Sequence, residues 1–160
     1  MENILKLLKR LKSIIKIIIW KIIYCKKFKT NIFNVFYPLT HIVIDGGKII
    51  IGKNCFFNRN CSINSRKKIS IGNDVIVGEN VCIYDHNHRF RDKNKVIRNQ
   101  GFKDNEITIG NNCWIGSNVT ILAGSKIGNN VVIGAGCVVN GIIEDNTIVK
   151  CSSNFIKERY

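Results

Sequence analysis

Acidic residues are scarce in this chain of 160 residues: 11 Asp and Glu stand against 25 Lys and Arg, a formal net charge of +14. Among the first thirty positions Glu2 is the only acid, while Lys6, Lys9, Arg10, Lys12, Lys16, Lys21, Lys26, Lys27 and Lys29 crowd the same stretch. Such a surplus favours an anionic partner: nucleic acid, anionic lipid, or a phosphorylated cofactor or substrate. Nucleic acid fits worst, because no recognition motif accompanies the cations and the aromatics are not set out as a stacking platform. The seven cysteines contain no CxxC pair, so their spacing gives no support to structural zinc. Reduced thiols in a cytoplasmic protein are the expectation. No small-residue cleavage site follows the apolar N-terminal stretch, which argues against a cleavable signal peptide. Lysines break every apolar run there, which argues against a membrane span. Histidine is rare: His41, His86 and His88 are the only three.

What is present is enough for one domain with a real core. Residues 1–30 form a basic segment predicted to be helical. Ile4, Leu8, Leu11, Ile15, Ile18 and Ile22 share one face, and Lys6, Lys9, Arg10, Ser13 and Lys16 the opposite one. The apolar face is expected to cover the open end of whatever follows. Residues 4–24 could also lie as a basic amphipathic helix on an anionic membrane surface.

From Ile51 the chain counts in sixes, through "IGKNCF", "FNRNCS", "IGNDVI" and "VGENVC", and again through "IGNNCW", "IGSNVT", "IGNNVV" and "IGAGCV". Each hexad opens on an apolar residue: Ile51, Phe57, Ile63, Ile71, Val77 and Ile83, then Ile109, Ile115, Ile121, Ile127, Ile133 and Val139. That period suits neither an α-helix nor a simple hairpin. It suits a parallel β-helix, in which short strands alternate with turns and each coil stacks on the last. β-Branched side chains at the first slot favour stacking on the neighbouring coil. The Gly-Asn pairs that follow supply left-handed turns. The fifth slot holds Val75, Val81, Val119 and Val131, but also Cys55, Cys61, Cys113 and Cys137, which act there as compact apolar residues. The β-helix is expected over 31–150, with a tail over 151–160.

The hexads stop between Asp85 and Glu106, where "RFRDKNKVIRNQGFKDN" is charged and aperiodic. One long loop, 85–106, is therefore expected to be thrown out from a coil corner. His86 lies at its root, where a rigid coil fixes the backbone. Neutral imidazole there could take a proton from a hydroxyl near neutral pH.

"YDHNHRF", "IRNQGF" and "ITIGNNCWIGSNVTILAGSKIGNNVVIGAGCVV" resemble the hexapeptide-repeat acyltransferases, above all the O-acetyltransferases of galactosides and of capsular and lipopolysaccharide sugars. The similarity runs from about Ile49 to Ile148 and is strongest from Tyr84 onward. It implies a left-handed β-helix, although the general rule for parallel crossovers favours the right hand. By the same resemblance His86 is the general base and Trp114 lines the acetyl-CoA channel. Ser117, Ala135 and Gly136 contact the pantetheine arm, and the N–H of Ser117 steadies the oxyanion. Asn58 and Asn60 meet the acceptor sugar, with His88 and Asp85 on the acceptor side or orienting the site. It further implies acetyl-CoA as co-substrate without a metal, direct transfer, and a homotrimer with sites between subunits. The thiols and the basic helix point to a cytoplasmic protein that could meet the membrane's inner face peripherally.

The chain departs from the family pattern where relatives carry Thr-Lys, since it has Asn140-Gly141. It departs again at "CSSNF", which lacks the usual proline and lysine. Lys126, Lys150, Lys157 and Arg159 are then the cations left for the CoA phosphates. N-acetylation of an amino sugar, or acetylation of serine or an antibiotic, stays open beside sugar O-acetylation. A zinc lyase using His41, His86 and His88, or a non-catalytic scaffold, is the reading from another class.

Overall fold

The computed structural model describes residues 2–151. The expected tail, 151–160, and with it Lys157 and Arg159, lies outside the described residues except for Cys151. The fold is all-β beyond one helix, a left-handed parallel β-helix of about six coils. Three parallel sheets make the sides of a triangular prism. The first side stacks Phe28–Lys29, Ile49–Ile51, Ile69–Ile71, Ile107–Ile109, Lys126–Ile127 and Ile142–Ile143. The second stacks Val35–Phe36, Phe56–Phe57, Ile76–Val77, Trp114–Ile115, Val132–Ile133 and Ile148–Val149. The third stacks His41–Ile44, Ser62–Ser65, Cys82–Tyr84, Thr120–Ile121 and Val138–Val139.

Every apolar residue that opens a hexad is buried, and so is every valine and cysteine of the fifth slot. Strands of two to four residues hold only because each side chain stacks on its equivalent one coil away, as Ile63 does beside Ile83. The cysteines do more than fill space. The thiols of Cys55, Cys61 and Cys113 each lie 3.2 Å from the carbonyl oxygen of Gly72, Gly78 and Gly128, one coil on. They are weak donors to carbonyls that valine would leave unbonded.

Two corners are built from left-handed residues. Asn60, Asn80 and Asn118 have φ of 58°, 57° and 59°, and Gly136 continues the column at 75°. The asparagines form a ladder, Asn60 Nδ2 donating to Asn80 Oδ1 at 2.9 Å and Asn80 Nδ2 to Asn118 Oδ1 at 3.0 Å. Asparagine suits such a column because it tolerates this region and its amide both donates and accepts. Gly110 answers to a different need. A Cβ there would stand 2.4 Å from the carbonyl oxygen of Gly128, so the stacking distance itself demands glycine.

The prism starts earlier than the hexads suggest. Phe28 pairs with Ile49, which makes residues 28–44 a first coil that shows no regular sixfold spacing. It is filled by aromatics instead, the rings of Phe36 and Phe57 stacking at 4.6 Å.

The helix, Glu2–Tyr24, lies across the open end of this first coil. Ser13 accepts from Phe36 N at 2.8 Å and sits 3.2 Å from Asn34 O. Ile17 is buried, Trp20 packs edge-on against Phe28 and Phe36, and Tyr24 donates to Ile42 O at 2.9 Å. All three sides of the coil are thus touched. The helix does cap the prism, but with the face opposite to the one expected. The stripe Ile4, Leu8, Leu11, Ile15, Ile18 and Ile22 is exposed. The reason is chemical: the coil end presents backbone carbonyls and N–H groups of residues 34–42, which Ser13, Lys16 and Tyr24 satisfy and aliphatic side chains would not.

Candidate active site

The strand Cys82–Tyr84 ends the third side, and at the corner after it Asp85 turns inward while the backbone leaves the prism. Asp85 is fully buried. Its Oδ1 accepts from Arg66 N at 2.7 Å, and its Oδ2 accepts from Lys67 N at 2.9 Å and lies 2.8 Å from Ser65 Oγ. A carboxylate so engaged faces the coil beneath it. Asp85, expected either on the acceptor side or orienting the site, has no oxygen facing solvent, which fits the orienting alternative.

What it positions is His86. Nδ1 of His86 lies 3.2 Å from Asp85 Oδ1, and the side chain is 21% exposed. An ionised carboxylate only accepts, so in the neutral ring this contact favours the proton on Nδ1 and the lone pair on Nε2. That neutral tautomer leaves Nε2 as the ring's acceptor.

The loop expected over 85–106 is an ordered arm. His86–His88 pairs antiparallel with Phe102–Asp104, placing His86 opposite Asp104 and His88 opposite Phe102. The Phe102 ring stands 5.5 Å from His86, nearly perpendicular, and 4.4 Å from His88. The Arg66 guanidinium lies over the same ring, 4.0 Å from its centre. Arg66 also pairs with Asp45 and, at 3.5 Å, with Asp104. It therefore rivets the arm's returning strand to two coils.

Neither Arg66 nor Phe102 is marked by sequence spacing, because the contact joins a coil corner to an arm that pairs only with itself. Farther out, a hollow of about 680 Å³ is lined by polar residues and by Arg89, Arg91, Lys95 and Lys103, with Asp92 its one acid. Asn64 stands beside this corner, in register with Tyr84, and its buried Oδ1 has no hydrogen-bond partner among the described residues.

The residues expected on the cofactor side come together elsewhere. Trp114, 56% exposed, projects from the second side between Ile76 and Val132. Three residues later Ser117 turns the corner to the third side. Gly136 N donates to Ser117 O at 2.9 Å, so Ser117, Ala135 and Gly136 occupy two stacked turns. A Cβ on Gly136 would meet nothing within 4 Å, which leaves open space beside this turn. Asn58 and Asn60 share one turn at the same corner, two coils before Ser117 and three before Gly136, with Asn60 in the asparagine ladder. His86 stands at the corner between the third and first sides, across the prism from Trp114. One protomer does not bring the two together.

His41 sits exposed on the first coil, and among the described residues no group of three or more His, Cys, Asp or Glu is placed to hold a metal ion. The three imidazoles a zinc lyase would need are not gathered within one protomer.

Two family models match the chain: the bacterial transferase hexapeptide (six repeats) over residues 106–141, and the hexapeptide repeat of succinyl-transferase over 48–85. Among solved structures, a maltose O-acetyltransferase from Clostridium difficile 630 is 30% identical, with 87% of this chain and 81% of that one covered and a TM-score of 0.64. The chain belongs to the hexapeptide-repeat acyltransferases. A second member, a hexapeptide-repeat acetyltransferase from Vibrio cholerae complexed with acetyl coenzyme A, is 28% identical over 69% of this chain and 64% of that one, with a TM-score of 0.59. A galactoside acetyltransferase in complex with coenzyme A is 33% identical over 69% and 60%, again with a TM-score of 0.59. This acyltransferase chain thus spans less than two thirds of those last two proteins. No curated protein sequence matches it.

Proposed function

We propose that the protein transfers an acetyl group from acetyl-CoA to a hydroxyl of a sugar or of a polysaccharide or lipopolysaccharide precursor, without a covalent enzyme intermediate. The observation that carries this reading is the buried Asp85 carboxylate holding His86 at the root of the arm. His86 Nε2 takes the acceptor hydroxyl's proton as the oxygen attacks the thioester carbonyl. The tetrahedral centre then collapses, the C–S bond breaks, and the proton passes from His86 to the departing thiolate. The backbone N–H of Ser117 steadies the oxyanion.

Because His86 and Trp114 lie across the prism from each other, the site is assembled between protomers of a homotrimer. The second side suits such a contact, since Val35, Phe56, Ile76, Trp114, Val132 and Ile148 form a continuous apolar row facing outward. Trp114 and the open side of the Gly136 turn fit the pantetheine arm of acetyl-CoA, whose thioester is the activated acyl group. Lys126 and Lys150 remain for its phosphates. Asn58, Asn60, His88 and Asn64 are the acceptor-side candidates.

Mass spectrometry of sugars incubated with the protein and acetyl-CoA tests the proposal, by the gain of one acetyl group on oxygen. Gain on nitrogen would select the amino-sugar reading instead. His86→Ala should lower turnover by at least about 100-fold with folding and oligomeric mass unchanged. An unchanged rate would reject His86 as the base.

A further inference from the structure

The exposed face of the N-terminal helix assigns a second surface to this protein. Ser13, Ile17, Trp20 and Tyr24 make one face, the one that seals the prism. On the opposite face, Ile4, Leu8, Leu11, Ile15, Ile18 and Ile22 are between 44% and 70% exposed. At 3.6 residues per turn these six fall on one stripe, with Arg10 and Lys21 along one flank and Lys12 along the other. Lys26 and Lys27 lie exposed just beyond the helix. The helix contacts all three sides of the first coil, so the stripe points away from the prism, outward from its end.

We propose that this face docks on an anionic lipid surface, with the aliphatic stripe in the headgroup boundary and the flanking cations on lipid phosphates. Charge complementarity decides the occupant. A second copy of the chain would set Arg10, Lys12 and Lys21 against their own kind, and Glu2 is the only acid in the first thirty residues to offset them. An anionic bilayer offers the apolar phase and the counter-charge together. The helix would lie in the interface rather than cross it, since no described helix is long and apolar enough to span a membrane.

The test is sedimentation of the full chain with vesicles, either pure phosphatidylcholine or an equimolar mixture with phosphatidylglycerol. The bound fraction should be at least about tenfold higher on the anionic vesicles and fall with added salt. The double variant Leu11→Asp/Ile15→Asp should lose about tenfold in binding with its unfolding temperature unchanged, because both side chains are exposed. Arg10→Glu/Lys12→Glu should lose binding to the anionic vesicles only. Equal sedimentation with and without vesicles would overturn the proposal. So would a double variant that binds lipid as before, or one whose only change is a smaller oligomeric mass by light scattering, which would mark a second copy as the occupant. Binding is read without turnover, so its failure and failure of the acetyl-transfer reading are separate results.

Discussion

His86 Nδ1 and Asp85 Oδ1 stand 3.2 Å apart, and the same carboxylate is bound by the backbone N–H groups of Arg66 and Lys67. One buried group thereby orients the His86 ring and fixes the corner from which the arm departs. In Asp85→Asn a neutral amide replaces an acceptor-only group, and either its NH2 meets an N–H or it no longer orients Nδ1–H. Turnover should fall by at least about 100-fold, with a smaller loss of unfolding temperature. Steady-state rates beside a thermal melt separate the two effects. Full activity would show that His86 needs no partner.

Arg66 sits beneath Phe102 and ties it to two coils. Arg66→Ala should free the returning strand while the prism stays intact. Trypsin should then cut the arm, at Arg89 to Lys103, several-fold faster than in the parent protein, and KM for the acceptor should rise more than kcat falls. Unchanged proteolysis would show that antiparallel pairing alone holds the arm.

Asn118 has φ of 59° and accepts from Asn80 Nδ2 at 3.0 Å. Asn118→Ala keeps the left-handed backbone but loses both the polar side chain that eases it there and the ladder bond, and should cost about 1–2 kcal/mol in urea denaturation. Asn118→Gly loses the same bond without the strain and should cost less. Equal losses would place the whole effect in the hydrogen bond.

Burial pushes the Cys61 thiol up from its ordinary value of 9.0 to about 11. Since the folded state holds the proton more tightly than the unfolded one, this contribution to stability is complete below pH 9.0 and is lost as pH rises towards 11. Denaturation midpoints should decline across that window, and less steeply in Cys61→Val. A thiol reagent near neutral pH should modify Cys25 and Cys151, which are exposed, well before Cys55, Cys61, Cys113 and Cys137, which are buried. Rapid reaction of all seven would contradict the packing.

The coils that repeat a hexad were legible in the sequence because each turn uses the same backbone solution, so Ile, Gly and Asn recur where geometry demands them. The first coil was expected from residue 31 onward, but not its packing, because its interior is filled by Phe28 and Phe36 against the helix and its turns follow no common plan. His86 could be found from its place at the interruption. Arg66 and Phe102 could not, since a guanidinium stacked on a ring leaves no periodic trace. The helix was legible as amphipathic, but hydrophobicity alone pointed to the wrong face. What decides docking is the set of backbone groups at the coil end, which composition does not reveal.

Ile69 pairs directly with Ile107, so the strands on either side of the arm stack as though nothing lay between them. The hairpin is therefore an insertion at one corner, tied back to the coils through Arg66. A different hairpin there would change the surroundings of His86 while the turns at Ser117 and Gly136 keep their stacking.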